Sequence, residues 1–427
     1  MLLFVTLGLV VMLGVVVTGC SRTSDSSASL PALQTASESA LNAAGTGYTS
    51  LYKFKDVPDG ANPEAGLVAV HGKLYGDTFN GGEITNGIIF ELSTSGAERV
   101  LYRFRGGFDG LNPYTKLTDV NGELYGDTAA GGGGPCHTQF YGYGCGTIFK
   151  ISTSGAERVL YRFSGRADGS IPQAVLVALN GDLYGTAQLS GTCTLGPGCG
   201  TVFKVSKSGA FSIVHSFKGG GADGALPLAG MIVVNGKLYG TTSAGGANNA
   251  GTIFELSTSG KERIVYSFKG GTKDGGEPWS GLIDVGGTLY GTTLFGGTGG
   301  CYQNYGCGII FSVSMSGQEK ILHRFYGADG GNPQAGLTAI NGALYGVTTR
   351  GGDDNSYCRI GCGTIFEVST TGTYRVLYRF KGGADGATPQ GDLIELNGAL
   401  YGTTLDGGGS GCYAGAGCGT AFKIQLP

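Results

Sequence analysis

The sequence predicts an all-β fold, a seven-bladed β-propeller of four-stranded blades, and three observations predict it. The tripeptide Leu-Tyr-Gly occurs seven times, centred on Tyr75, Tyr125, Tyr184, Tyr239, Tyr290, Tyr345 and Tyr401. The spacings of 50, 59, 55, 51, 55 and 56 residues suit a blade with variable loops and exceed most helical repeats. Around each copy apolar residues alternate with period two, as with Phe254 and Leu256 against Ile253, Glu255 and Ser257, and helical period is absent from the repeats. The ends of the repeat region are out of phase. The seventh unit stops after Gly419-Thr420-Ala421-Phe422-Lys423-Ile424, its third strand, whereas Leu51-Tyr52-Lys53-Phe54 matches the fourth-strand segment Leu101-Tyr102-Arg103-Phe104 with no first strand ahead of it. The N-terminal strand is therefore expected to complete the last blade, which removes open sheet edges.

Each element of a unit has a local cause, clearest in the fourth copy. The first strand is expected over Pro227 to Val234. Asn235-Gly236 follows, and such pairs, repeated in most copies or replaced by His71-Gly72 and Gly286-Gly287, supply the positive φ of a tight hairpin turn. The second strand, Lys237 to Thr242, carries the Leu-Tyr-Gly; the third is Gly251 to Ser257 and the fourth Glu262 to Phe268, joined by Ser-Thr-Ser-Gly. Glycine makes up 85 of 427 residues, which without a period would signal disorder. Here it recurs in turns and beside the repeated tyrosine, where strands or blades approach closely.

Residues 1 to 19 are apolar apart from Thr6 and Thr18 and run into Val17-Thr18-Gly19-Cys20, which resembles the lipobox of bacterial lipoprotein signal peptides. That resemblance implies cleavage of a signal peptide, residues 1–19, and lipidation of Cys20. No Lys or Arg precedes the apolar run, a departure from the pattern. The alternative is an uncleaved membrane anchor, since about 18 apolar residues can span a bilayer. Both imply export. Residues 20–47 are rich in Ser, Ala and Thr and read as a flexible linker after the lipidated cysteine. Residues 48–427 read as one closed domain. Net charge is −3, with basic residues dispersed around the repeats. No basic stripe tracks phosphates, so nucleic acid is not expected as a partner.

Ten cysteines beyond Cys20 fall as five close pairs, Cys136/Cys145, Cys193/Cys199, Cys301/Cys307, Cys358/Cys362 and Cys412/Cys418, all between second and third strands. An even count, local pairing and export favour disulfides over zinc. No metal or cofactor is expected. In an up-and-down blade the second-to-third connection shares a face with the connection between blades. The latter carries Gly-Gly-x-Asp-Gly-x-x-Pro, with Asp59, Asp109, Asp168, Asp223, Asp274, Asp329 and Asp385. A ring of carboxylates could bind cations, but Asp-Gly forms turns, and the turn is the preferred reading.

Candidate binding residues lie where the repeats differ. The residue after each repeat proline, Glu64, Tyr114, Gln173, Leu228, Trp279, Gln334 or Gln390, is expected at the channel mouth. The stapled loops carry Phe140, Tyr141, Tyr143, Tyr302, Tyr305, Tyr357, Arg359 and Tyr413. Such tyrosines, with Tyr114 and Trp279 at the mouth, suit stacking on sugars or anchoring a protein. They could equally pack against their own disulfides. For catalysis, the four histidines, His71, His137, His215 and His323, are scattered, and no nucleophile elbow, zinc-protease or phosphate-loop motif occurs. Glu64, Asp392 and His137 could serve a carboxylate-based propeller hydrolase or lyase.

The ordered set Pro-x-Ala-Gly-Leu, Asn-Gly-x-Leu-Tyr-Gly-Thr-Thr, Gly-Thr-Ile-Phe-Glu-Leu, Leu-Tyr-x-Phe and Gly-Gly-x-Asp-Gly resembles the GloVer-type tandem repeat of exported bacterial proteins over nearly all of residues 48 to 427. The resemblance implies membrane or surface anchoring and no established catalysis. The expectation is a lipid-anchored propeller of the bacterial outer membrane or cell surface, whose partner is a glycan or an envelope protein and whose only membrane contact is the lipid. A propeller enzyme and a purely structural envelope component remain open beside it.

Overall fold

The computed structural model describes residues 47–138, 142–189, 198–298, 301, 305–409, 411–412 and 415–426. The expected signal segment, Cys20 and the expected linker up to residue 46 lie outside the described residues. Seven antiparallel sheets form, each with four main strands in sequential order. In the fourth repeat these are Ile232–Val234, Lys237–Thr242, Thr252–Leu256 and Glu262–Ser267. The strand Tyr48–Lys53 pairs with Thr420–Gln425 in the sheet completed by Ala399–Thr404 and Ile394–Leu396. Closure is thus one strand plus three, as the phase of the repeats requires. The first strand of blade one, Val68–Val70, touches both Thr118–Val120 of blade two and Ile394–Leu396 of blade seven, so the ring is closed at its centre. No α-helix occurs among the described residues.

The core lies between blades. Seven buried clusters each join two neighbours, and the pattern of Leu-Tyr-Gly explains them: successive strand side chains point to opposite faces. Tyr75 faces forward with Phe104 onto Leu117, Leu124 and Phe149 of blade two. Leu74 faces backward with Phe90 onto Tyr401 and Ala421 of blade seven. The glycine has a packing role: a Cβ on Gly76 would sit 2.7 Å from the Phe90 ring and 2.8 Å from Leu67. Only a bare backbone lets the Phe of the third strand cross the second.

The first strand is shorter than expected, Ile232–Val234 against 227–234. The stretch after the proline leaves its own sheet because the neighbouring blade takes over its hydrogen bonds. Thr403 donates to the Ala65 carbonyl at 2.8 Å, Thr241 to Ser280 at 3.0 Å and Thr292 to Ala335 at 3.2 Å. Turn chemistry is as expected: Asn235 and Gly236 have φ of 51° and 74°, Asn121 and Gly122 58° and 84°. The repeated aspartates are turn residues tied to their own blade. Asp109 accepts the Tyr102 hydroxyl and the Arg105 amide, both at 2.7 Å, and the same tyrosine bond holds Asp59 at 2.8 Å, Asp274 at 2.9 Å and Asp385 at 2.6 Å. Where histidine replaces tyrosine, His323 Nε2 lies 2.7 Å from Asp329. A carboxylate satisfied by a side chain and a backbone amide is a fastener.

Candidate binding face

Both classes of connection emerge on one face and are hydrogen-bonded to each other. The amides of Gly82, Gly246 and Gly297, after second strands, donate to the carbonyls of Asp59, Asp223 and Asp274. On this floor stand four disulfides, Cys136–Cys145, Cys301–Cys307, Cys358–Cys362 and Cys412–Cys418. Cys193, the expected partner of Cys199, lies outside the described residues. Four disulfides fit an oxidising compartment of the kind exported proteins occupy.

Every large apolar side chain that stands out into solvent among the described residues sits on this face. Phe108 is 72% exposed, Tyr143 75%, Tyr326 61%, Ile84 57%, Ile360 56%, Val57 52%, Tyr305 47% and Tyr357 40%. The sheets, by contrast, present polar outer strands. Tyr143 leans on His137 with centroids 4.5 Å apart, and Tyr305 on Phe295 at 5.7 Å, so both rings are propped from below. The Tyr357 hydroxyl donates to the Ala416 carbonyl at 2.6 Å, linking the stapled loops of blades six and seven. Arg359 is exposed beside it. A groove of about 670 Å³ runs between blades five and six, walled by Tyr326, Ile360, Arg350 and Asp354. Tyr141, Tyr302 and Tyr413 lie outside the described residues, as does Phe140.

The residues after the repeat prolines are less open than the loops. Tyr114 meets Phe79 edge-on at 6.1 Å, and its hydroxyl reaches Glu64. Trp279 is half-buried, with its indole nitrogen buried and without a partner. Burial pushes the Glu64 carboxyl up to about 8, the Tyr114 hydrogen bond opposing and Asp406 adding to the shift. Two further carboxyls, Asp77 and Asp127, are raised well above the usual range by burial, reinforced by Glu64 for the first and Asp77 for the second. Asp127 accepts the Thr115 hydroxyl at 3.0 Å, and Asp77 has no partner on either oxygen. Both stand where Thr186, Thr241, Thr292 and Thr403 clasp the next blade and where blade six has Val347, so Leu-Tyr-Gly-Asp against Leu-Tyr-Gly-Thr was the signal in the sequence that marked them. Of the other two residues of the carboxylate scheme, Asp392 accepts the Gly336 amide at 2.6 Å and His137 is packed on Tyr143. Among the described residues no three His, Cys, Asp or Glu side chains converge as a metal site would.

The sequence profile of a family described as Gloeobacter/Verrucomicrobia repeat matches residues 39–197, 136–305 and 196–416. No curated protein matches the chain. Among solved structures, the tricorn protease aligns at 11% identity and a TM-score of 0.41 over 80% of this chain, which spans 27% of that one. A luciferin-regenerating enzyme aligns at 12% identity and TM-score 0.43, covering 87% of this chain and 94% of its own. A gluconolactonase from Xanthomonas campestris aligns at 15% identity and TM-score 0.40, over 71% and 86%. Likeness at this level carries no inference about activity.

Proposed function

The chain belongs to the Gloeobacter/Verrucomicrobia repeat family, and from that premise we propose that it is an exported, lipid-tethered propeller that binds a carbohydrate or protein ligand through its disulfide-stapled face, without catalysis. One observation carries the reading: exposed aromatic and aliphatic side chains are confined to one face, on loops fastened by disulfides and by hydrogen bonds to the ring. Large apolar side chains exposed together on one face suit an interaction surface, and ordered tyrosines lose little entropy when a ligand covers them. The tether is the Cys20 lipid implied by the sequence, and the anchor is its only membrane contact.

The test is a binding screen of the purified chain against a glycan array and envelope polysaccharides, with a Tyr143→Ala/Tyr305→Ala/Tyr357→Ala variant beside it. Specific binding that the variant loses by tenfold or more supports a lectin-like face; binding retained in full removes these tyrosines from it. Silence on every glycan turns the search to envelope proteins by proximity labelling. For the anchor, mass spectrometry of the mature N-terminus should find a lipid on Cys20 and none in a Cys20→Ala variant. The carboxylate enzyme has one feature in its favour, the buried Glu64 carboxyl, which burial pushes up to about 8. Turnover of any envelope glycan that Glu64→Gln abolishes would establish it.

A further inference from the structure

At every blade junction the residue that opens a fourth strand covers the tyrosine or histidine of the preceding blade's fourth strand. At three junctions the cover is aromatic: Phe211 stacks on Tyr161 at 3.8 Å, Tyr374 on His323 at 3.7 Å and Tyr48 on Tyr378 at 4.0 Å. At the other four it is Glu98, Glu157, Glu262 or Glu319, and in all four Oε1 is buried with no hydrogen-bond partner. A glutamate where sister blades use a stacked ring calls for an account of its charge.

Counting protons supplies it at the two junctions flanking blade one. The Tyr52 hydroxyl has one proton and gives it to Asp59 at 2.8 Å; Asp59 also accepts the amides of Lys55 at 3.1 Å and Gly60 at 2.7 Å, the pattern of an ionised carboxylate. Glu98 faces the same hydroxyl, whose one proton is directed at Asp59, and the same Asp59, and its Oε1 is buried without a partner. Its two basic neighbours are Arg103 and Lys55; the Arg103 guanidinium donates to the Pro58 carbonyl, and Lys55 lies over the Tyr52 ring. The next junction repeats the arrangement: Tyr102 donates to Asp109, Glu157 faces both, and its one basic neighbour, Arg162, donates to the Phe108 carbonyl at 2.8 Å.

We propose that Glu98 and Glu157 are neutral acids in the closed ring and act as a proton-dependent latch, Glu98 across the seam where the N-terminal strand completes blade seven and Glu157 across the junction beside it. Burial, reinforced by the facing aspartate, lifts both from an ordinary 4.5 to about 7. The folded ring therefore holds two protons that the unfolded chain has released. Their contribution to stability falls as pH rises from about 4.5 through about 7 and is lost above, where the ionised glutamates face Asp59 and Asp109. Each proton leaves to solvent, and no other bond changes.

Hydrogen exchange of the full chain tests this. Exchange of the Tyr48–Lys53 amides, corrected for intrinsic rates, is expected to rise about tenfold from pH 6 to pH 8. In a Glu98→Gln/Glu157→Gln variant, whose amides can donate but cannot titrate, the rise should vanish. A Glu98→Phe variant, using the residue found at 211, should flatten it too and guards against misfolding of the first. The infrared carbonyl band of protonated carboxyls should be present in the wild type at pH 6 and weaker in the double variant. Equal protection at the two pH values in the wild type, an unaltered rise in the variants, or an unchanged infrared band overturns the latch.

Discussion

At the scale of the residue, the ring is made by small constraints repeated. Gly126 shows one: a Cβ there would stand 2.6 Å from the Phe149 ring and 2.8 Å from Leu117. Gly126→Ala is expected to destabilise the ring by about 1–3 kcal/mol, the range for overpacked cores, measured by urea unfolding. The Tyr102 to Asp109 bond shows another, and Tyr102→Phe should lose about 1 kcal/mol by the same assay. The sequence showed the aspartates as turn formers, correctly. It did not show what holds them, because the tyrosine lies seven positions away and belongs to a different motif, Leu-Tyr-x-Phe. Nor did it mark Glu98 or Glu157, which look like solvent-facing charges of an outer strand until the next blade is placed against them.

At the scale of the element, strand order and turn types follow from period two and from Asn-Gly, and the stapled loops fall on the face that up-and-down connectivity dictates. The disulfides close loops of 4 to 9 residues in sequence separation. Short loops release little chain entropy, about 2 kcal/mol each, and the blade cores lie elsewhere. Reduction is therefore expected to leave the β-sheet circular dichroism intact and to lower affinity for any ligand of the loop face, which titration before and after a reductant would read. A loss of sheet signal on reduction would show that the staples hold the ring itself. What the sequence misjudged was the reach of the first strand, since hydrogen bonds such as Thr403 to Ala65 join blades far apart in the chain. The binding residues are the least legible of all. A loop tyrosine reads alike whether it props a disulfide or meets a partner, and only exposure separates Tyr143, three-quarters exposed, from Tyr114, which is partly covered and bonded to Glu64.

At the scale of the whole molecule, seven inter-blade cores depend on one closure, because every blade is half of two clusters. Removing residues 47–53 would strip blade seven of its outer strand and uncover Phe422 and Phe380, which pack with Tyr48. Such a chain is expected to form higher oligomers or aggregate, seen by size-exclusion chromatography with light scattering, since an unpaired edge invites pairing. The closing strand also gives the ring a front and a back. Tyr48 pairs with Ile424, and the Gln425 amide donates to the Gly47 carbonyl, at the end of the third strand remote from the stapled loops. Gly47, where the described chain enters the ring, therefore sits at the rear, at the opposite end of the blades from the tyrosine-studded front. Front and rear are thus opposed, with Tyr143 at one end of the blades and the Asn235-Gly236 hairpin at the other.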